Sequence, residues 1–303
     1  MGALNRQVAH SMTASDRPII VVVGSLHFDI MVDAPDRPRR GETVTGFAWR
    51  PKFGGKGGNQ AVAAAKAGAE VRMAGAVGDD DFGRFLLDAL EVGGVDAARV
   101  ARLANAGSGM SVAISDAGGD YGAVIVSGAN LLADPVALAE PDLWQGARAL
   151  ILQNEMPEAL NVSAACAAKA VGAMVCLNAA PYRPLCRELA QAVDLLVVNA
   201  IEAEQLTDLS VTDLASAAAA AQALCGRFPS VVVTAGSEGV AGMVRGADPI
   251  TVPALPVTLV STHGAGDTFV GALVAALAAD QPFAECLASA NAAAAAHVST
   301  PTR

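Results

Sequence analysis

The sequence predicts an α/β fold, a three-layer α/β/α arrangement with a mostly parallel central sheet, and three observations carry that expectation. Short apolar runs rich in β-branched residues alternate with Ala-rich helical stretches. That alternation is the pattern of parallel strands joined by crossover helices. The runs are apolar almost throughout, as strands covered on both faces require. The composition agrees, because 53% of the 303 residues are hydrophobic and only 4% aromatic, which suits helices packed closely on a sheet.

Taken in order, residues 1–16 lack the apolar stretch of a signal peptide and read as a flexible leader. Residues 17–303 then read as one domain without internal repeat or low-complexity linker. Residues 19–24 form a buried strand ending in glycine. Residues 57–68 make an Ala-rich helix closed by a glycine, followed by a strand over 70–77 and a helix over about 80–91. Further strands fall at 149–152, 174–178, 195–199 and 231–234, and residues 215–223 make a plain Ala-rich helix. Two stretches break the alternation. Residues 30–53 have no helix period, with an exposed strand expected over 43–49. Residues 109–115 and 121–127 flank Asp116-Ala-Gly-Gly-Asp120, a hairpin signal. Strands inserted at about 29–53 and 108–127 would build a small β-sheet over the open edge of the main sheet, a lid.

The formal charge of −10 argues against a nucleic-acid backbone as partner, since phosphate chains demand clustered Lys and Arg. A single nucleotide remains compatible, because one pocket can be lined with backbone N–H groups. Cys166, Cys176, Cys186, Cys225 and Cys286 are scattered without a C-x-x-C pair, so reduced core thiols in a cytoplasmic protein are expected. No apolar run approaches the ~18 residues of a membrane span, so no membrane partner is expected.

In doubly wound sheets, ligands bind outside the carboxyl ends of the strands. That rule selects residues 24–29, 153–155, 199–202 and 234–239 before any motif is considered. The strongest motif is His263-Gly-Ala-Gly-Asp-Thr-Phe269, leading into a helix expected over 268–279. Its glycines let backbone N–H groups point at an anion, and Asp267 stands where the helix dipole keeps a carboxylate ionised. A carboxylate beside an anion site is what phosphoryl transfer to a hydroxyl needs. The same string also serves as a plain helix cap.

Phe53-Gly-Gly-Lys-Gly-Gly-Asn-Gln60 again precedes a helix. It lacks the Gly-Lys-Ser/Thr of a Walker loop, but its glycines admit a small polar ligand, and Lys56 and Asn59 can bind hydroxyls. A hinge is the alternative. Asn199-Ala-Ile-Glu202, with Glu204 beyond, could hold Mg²⁺ through water or simply cap a helix. Thr234-Ala-Gly-Ser-Glu-Gly239 suits either phosphate contact or a hairpin.

In this order and at these intervals, the four segments resemble the ribokinase (PfkB) family of sugar and nucleoside kinases. The resemblance spans residues 18–299 and is closest to the ribokinase branch, in Gly24-Ser-Leu-His-Phe-Asp29, Gly41-Glu-Thr-Val-Thr-Gly46, residues 53–60 and 75–83, and Ser127-Gly-Ala-Asn130. It implies a ribokinase-like fold and transfer of the ATP γ-phosphoryl to a terminal hydroxyl of a small sugar, ribose or a related pentose or ketose. By matched position, His27, Asp29, Gly54, Gly55, Lys56, Asn59 and Glu155, in Leu152-Gln-Asn-Glu-Met-Pro157, bind the sugar. Asp267 is the base, and Gly264, Ala265 and Gly266 form the anion hole. Asn199, Thr234, Gly236, Ser237, Gly239, Gly266 and Asn291 hold the nucleotide, with Asn199 and Glu202 near Mg²⁺. The resemblance also implies a homodimer formed through the lid.

Three departures qualify it. His27 replaces a sugar-contacting Asn, which changes the pocket. Ser261 stands where an Asp usually helps to hold a monovalent cation, and the chain ends at Arg303, where that branch continues with a loop completing the site. Weak or absent K⁺ activation is therefore expected. Alternatives are a nucleoside kinase of the same family, which would call for a wider and more aromatic pocket than two Trp and two Tyr suggest, or a non-catalytic sugar- or nucleotide-sensing protein. A dehydrogenase is disfavoured, because no glycine fingerprint follows residue 24.

Overall fold

The computed structural model describes residues 17–116, 118 and 121–300. The expected leader therefore lies outside the described residues, as do Ala117, Gly119 and Asp120 of the expected hairpin turn and the last three residues of the chain.

The first third of the chain contributes β1 (Ile19–Val23), β2 (His27–Asp33), β3 (Ala48–Gly54), α1 (Lys56–Lys66), β4 (Glu70–Gly78), α2 (Asp81–Val92) and β5 (Val95–Leu103). The middle adds β6 (Met110–Ser115), β7 (Tyr121–Val126), α3 (Pro141–Trp144), β8 (Ala147–Gln153), α4 (Glu158–Ala170), β9 (Met174–Asn178), α5 (Arg187–Ala192) and β10 (Leu195–Asn199). The last third adds α6 (Ala200–Thr207), α7 (Leu214–Leu224), β11 (Ser230–Thr234), β12 (Gly239–Val244), β13 (Ile250–Pro253), α8 (Ala265–Ala278) and α9 (Phe283–Ser299).

Among the described residues, nine strands form the main sheet in the order β13-β12-β11-β10-β9-β8-β1-β4-β5. Pairing is parallel from β11 to β5 and antiparallel only at the β11–β12 and β12–β13 edge. Successive strand residues point to opposite faces, so each apolar run feeds two cores. Val21, Val23, Leu150, Leu152, Leu196 and Val198 pack with α3 to α7. Ile20, Val22, Ile151, Leu195 and Val197 pack with α1, α2, α8 and α9. Each such side chain contributes about 1.5–3 kcal/mol on full burial, so the sheet is committed to both layers. Ala-rich α7 buries Ala217, Ala220, Ala221 and Leu224, one narrow stripe that lets it sit close.

The second sheet is smaller, with strand order β3-β2-β6-β7. Its two faces differ sharply. Register places Asp29 opposite Lys52 and Ser111, and Met31 opposite Arg50 and Ala113, on the inner face. Ile30, Val32, Trp49, Pro51, Val112 and Val124 fall on the outer face. At its base, Phe28 stacks on Phe82 of α2, with ring centroids 4.0 Å apart.

Three expectations are corrected. The strand expected over 43–49 begins only at Ala48, because its partner β2 ends at Asp33, whose register mate is Ala48, so residues 43–46 have no neighbour to pair with. The helix carrying Asp267 starts at Ala265, not 268, so Asp267 is its third residue. Cys176, Cys225 and Cys286 are buried, but Cys166 is exposed on α4; all five thiols are free. The 234–239 segment, open between two readings, is a hairpin: a short 3₁₀ turn over Gly236–Glu238 reverses the chain into antiparallel β12.

Candidate active site

The inner face of the small sheet and the carboxyl ends of β1 and β8 enclose a cavity of about 890 Å³. His27, Asp29, Gly55, Lys56, Asn59, Glu155, Gly264 and Asp267 all line it. Gly54 lies directly against the Asp29 carboxylate. The sugar-side residues expected from the sequence thus meet in one place, although they come from β2, α1, α8 and the loop after β8.

Each carboxylate has its own setting. Asp29 is buried and accepts a hydrogen bond from the Ser111 hydroxyl through Oδ1. Its Oδ2 lies 3.8 Å from His263 Nε2. Glu155 Oε2 accepts from the Ser25 hydroxyl and, at 3.0 Å, from the Lys56 backbone N–H at the start of α1. His27 Nδ1 stands 3.9 Å from the same oxygen. Lys52 projects into the cavity from β3, and burial lowers its ammonium below the ordinary lysine value, partly offset by Asp29.

Asp267 is buried in the first turn of α8. Its Oδ2 accepts from Asn59 Nδ2 at 3.1 Å and its Oδ1 from Gln60 Nε2 at 2.9 Å. Burial raises the carboxyl above its ordinary value, opposed by the Lys56 ammonium and by the two amides. The contact depends on how closely α1 and α8 approach. A Cβ at Gly271 would fall 2.6 Å from Ala63 Cβ, so only glycine lets the helices touch here.

Gly264 caps α8 at φ +86°, a left-handed conformation that favours glycine, and no side chain caps the helix. Ala265 N–H turns back to Thr262 O at 3.3 Å, whereas the Gly266 and Asp267 N–H groups have no acceptor among the described residues. Free first-turn N–H groups at a helix dipole form an anion site. The amides available to an anion are therefore those of Gly266 and Asp267, with Ala265 already engaged.

The nucleotide-side residues lie outside this cavity. Asn199 and Glu202 form a reciprocal capping box on α6: Asn199 Oδ1 accepts from Glu202 N at 2.8 Å, and Glu202 Oε2 from Asn199 N at 2.9 Å. Burial raises the Glu202 carboxyl above its ordinary value, opposed by its hydrogen bonds with Asn199 and by the Lys56 ammonium. Among the described residues no cluster of three His, Cys, Asp or Glu could hold a metal directly. The oxygens of Asn199 and Glu202 are of the kind a hard cation such as Mg²⁺ takes, an ion that usually keeps several of its waters. Thr234 Oγ1 lies 3.5 Å from Val198 O at the end of β11, and Gly236, Ser237 and Gly239 form the hairpin turn beside it. Asn291 Nδ2 donates to Pro253 O at 2.8 Å, tying α9 to the sheet edge.

Sequence reasoning overlooked Gln60, Gln153 and Asn178. Gln60 stood unassigned at the end of its motif, Gln153 within a segment the strand-end rule selected, and Asn178 as the polar last residue of an apolar strand. Ser25 and Ser111 were also missed, since single serines carry no signal of their own.

The cavity thus sets a buried carboxylate beside free first-turn N–H groups, an arrangement that can hold an anion next to a proton acceptor. Residues 18–302 match the pfkB family carbohydrate kinases, and the chain belongs to that family. It is similar to the ribokinase of Haemophilus influenzae, 34% identical over 297 residues that take in 95% of this chain and 96% of the relative. It is also similar to the ribokinase of Bacillus subtilis, 35% identical over 278 residues, 91% of each chain. Among solved structures, Arabidopsis thaliana ribokinase complexed with ribose and ATP aligns with a TM-score of 0.87 at 32% identity, covering 94% of both chains.

Proposed function

We propose that this protein is an ATP-dependent kinase that phosphorylates the terminal CH₂OH of ribose or a closely related pentose or ketose. The observation that carries the reading is Asp267, buried between the cavity and the free Gly266 and Asp267 N–H groups. In that position a base can take the hydroxyl proton while the amides hold the transferring phosphoryl.

Asp29 and Glu155 accept hydrogen bonds from sugar hydroxyls, with Lys56 and Asn59 donating from the opposite wall. His27, beside Glu155, shapes the same end of the pocket. The nucleotide lies along Asn199, Thr234 to Gly239 and Asn291, ending at Gly264 to Gly266. Asn199 and Glu202 hold Mg²⁺ through water, and the ion supplies charge neutralisation on the phosphates. The small sheet serves as a lid that excludes water from the cavity. Its outer face, with Trp49 65% and Val124 68% exposed, is apolar enough to pair with a second copy, which supports a homodimer. Five free thiols suit a cytoplasmic enzyme. Among the described residues no helix is long and apolar enough to cross a membrane.

A nucleoside kinase is the second reading. No Phe, Tyr or Trp lines the cavity among the described residues, and a base would stack on such a ring, so the sugar is favoured. Coupled ADP release from Mg-ATP tests both, using ribose, deoxyribose, fructose, other ketoses, adenosine, inosine and cytidine. Turnover of one pentose or ketose, lost in Asp267→Asn, is expected. Turnover confined to a nucleoside would replace the sugar reading, and ATP binding without turnover of any acceptor would favour a sensor.

A further inference from the structure

Beneath the cavity, four side chains form a one-way chain of hydrogen bonds. Asn178 Nδ2 donates to Val197 O on β10 at 3.2 Å. A backbone carbonyl only accepts, so the Asn178 amide has its nitrogen on that side and its Oδ1 turned towards Gln60. Gln60 must then present its NH₂ group, which donates to Asn178 Oδ1 at 3.0 Å and to Asp267 Oδ1 at 2.9 Å. The remaining Gln60 Oε1 accepts from Gln153 Nε2 at 2.8 Å. Gln60 and Gln153 are fully buried and Asn178 nearly so. Reversing Gln60 would set its oxygen against two other oxygens.

We propose that Gln60, fixed in direction by Asn178 and met from its other side by Gln153, is a positioning residue that keeps an N–H on Asp267 Oδ1, so that the proton is taken at Oδ2. The inference rests on the reading of Asp267 as the base and adds three residues to which that reading gives no role. A permanent donor stabilises the carboxylate over the carboxylic acid, against the burial that favours the acid. It also fixes the side-chain rotation, so that the oxygen shared with Asn59 is the one presented to the sugar hydroxyl.

The test is the pH dependence of kcat/KM with Mg-ATP and ribose. Gln60→Met removes the donor at similar size. Its acidic limb should move to higher pH by about 1–2 units, the effect of losing one hydrogen bond to a charged group, with kcat down at least tenfold and the KM for ATP unchanged. Asn178→Leu, which touches neither ribose nor Asp267, should move the limb the same way by a smaller step. A limb that stays in place in both variants, with thermal unfolding reporting folded protein, overturns the proposal. In the unmodified protein without substrate, the Gln60 side-chain amide resonances should titrate together with Asp267. Resonances constant across that range overturn it equally, whether or not either variant folds. Should Asp267→Asn keep normal turnover, the base assignment itself fails. If Asp267→Asn is inactive and Gln60→Met keeps the parent limb, only the positioning role fails.

Discussion

Replacing Asp267 by Asn keeps the side-chain shape and removes one proton acceptor, so its effect can be worked from the contacts. The two oxygens of Asp267 face two N–H donors, Asn59 Nδ2 and Gln60 Nε2. An amide offers only one oxygen, so one donor would meet another NH₂ group. An unmatched buried donor costs about 1–3 kcal/mol. Removing a buried carboxylate offsets part of that, so the fold should survive with a modest change in melting temperature. Turnover should suffer far more. General-base catalysis contributes about 10²–10⁴-fold, or about 2.7–5.4 kcal/mol at 1.36 kcal/mol per decade. The free N–H groups of Gly266 and Asp267 belong to the backbone and persist in the variant, so ATP should bind nearly as before. The assay is coupled ADP release with the phosphorylated sugar measured in parallel, alongside calorimetric ATP binding. A variant within tenfold of the parent kcat would refute the argument, and so would a loss of activity that merely tracked a loss of ATP affinity.

Other outcomes follow from the same geometry. Gly271→Ala would drive a Cβ to 2.6 Å from Ala63 Cβ; the strain of overpacking, about 1–3 kcal/mol, should lower the melting temperature and reduce kcat more than the sugar KM, and an unchanged kcat would show that the α1–α8 distance does not matter. Because burial raises the Asp267 carboxyl and the base works only when deprotonated, kcat/KM should fall with decreasing pH through a single-proton limb above the ordinary aspartate value. A limb at or below that value would contradict the assignment. Activity should differ little between Na⁺ and K⁺ buffers, given a hydroxyl and not a carboxylate at Ser261; strong K⁺ stimulation would mean that other groups hold the cation. Trp49→Glu on the outer face of the small sheet should weaken self-association at least tenfold, about 1.4 kcal/mol, by light scattering, and an unaltered dimer would move the interface elsewhere.

The sequence made the main sheet legible because its strands are buried on both faces, so runs such as Ile19–Val23 and Leu195–Asn199 could be nothing else. Asp267 and Lys56 were legible for a different reason, since each stands in a glycine-rich string opening a helix. The start of β3 was not, because it is set by where β2 stops pairing, and that is a property of two segments together. The donors behind Asp267 were hidden for the same cause. Gln60 meets Gln153 and Asn178 across 93 and 118 residues of chain, and nothing local marks a glutamine as one end of such a bond. The bond from Ala265 N–H to Thr262 O was hidden as well, because it depends on how that carbonyl is turned.

The division of labour between the two sheets bears on how such a protein changes over time. Asp29 and Ser111 stand on the small sheet, and His27 begins its strand β2. Asp267, Asn59 and Gln60 stand on two helices locked together at Gly271 and Ala63. A substitution on β2, β3 or β6 can therefore alter which acceptor fits while leaving the reacting carboxylate and its donors undisturbed. Under the proposed function, part of the acceptor's surroundings is therefore carried apart from the reacting carboxylate, with Asn59 the point where sugar contact and Asp267 meet.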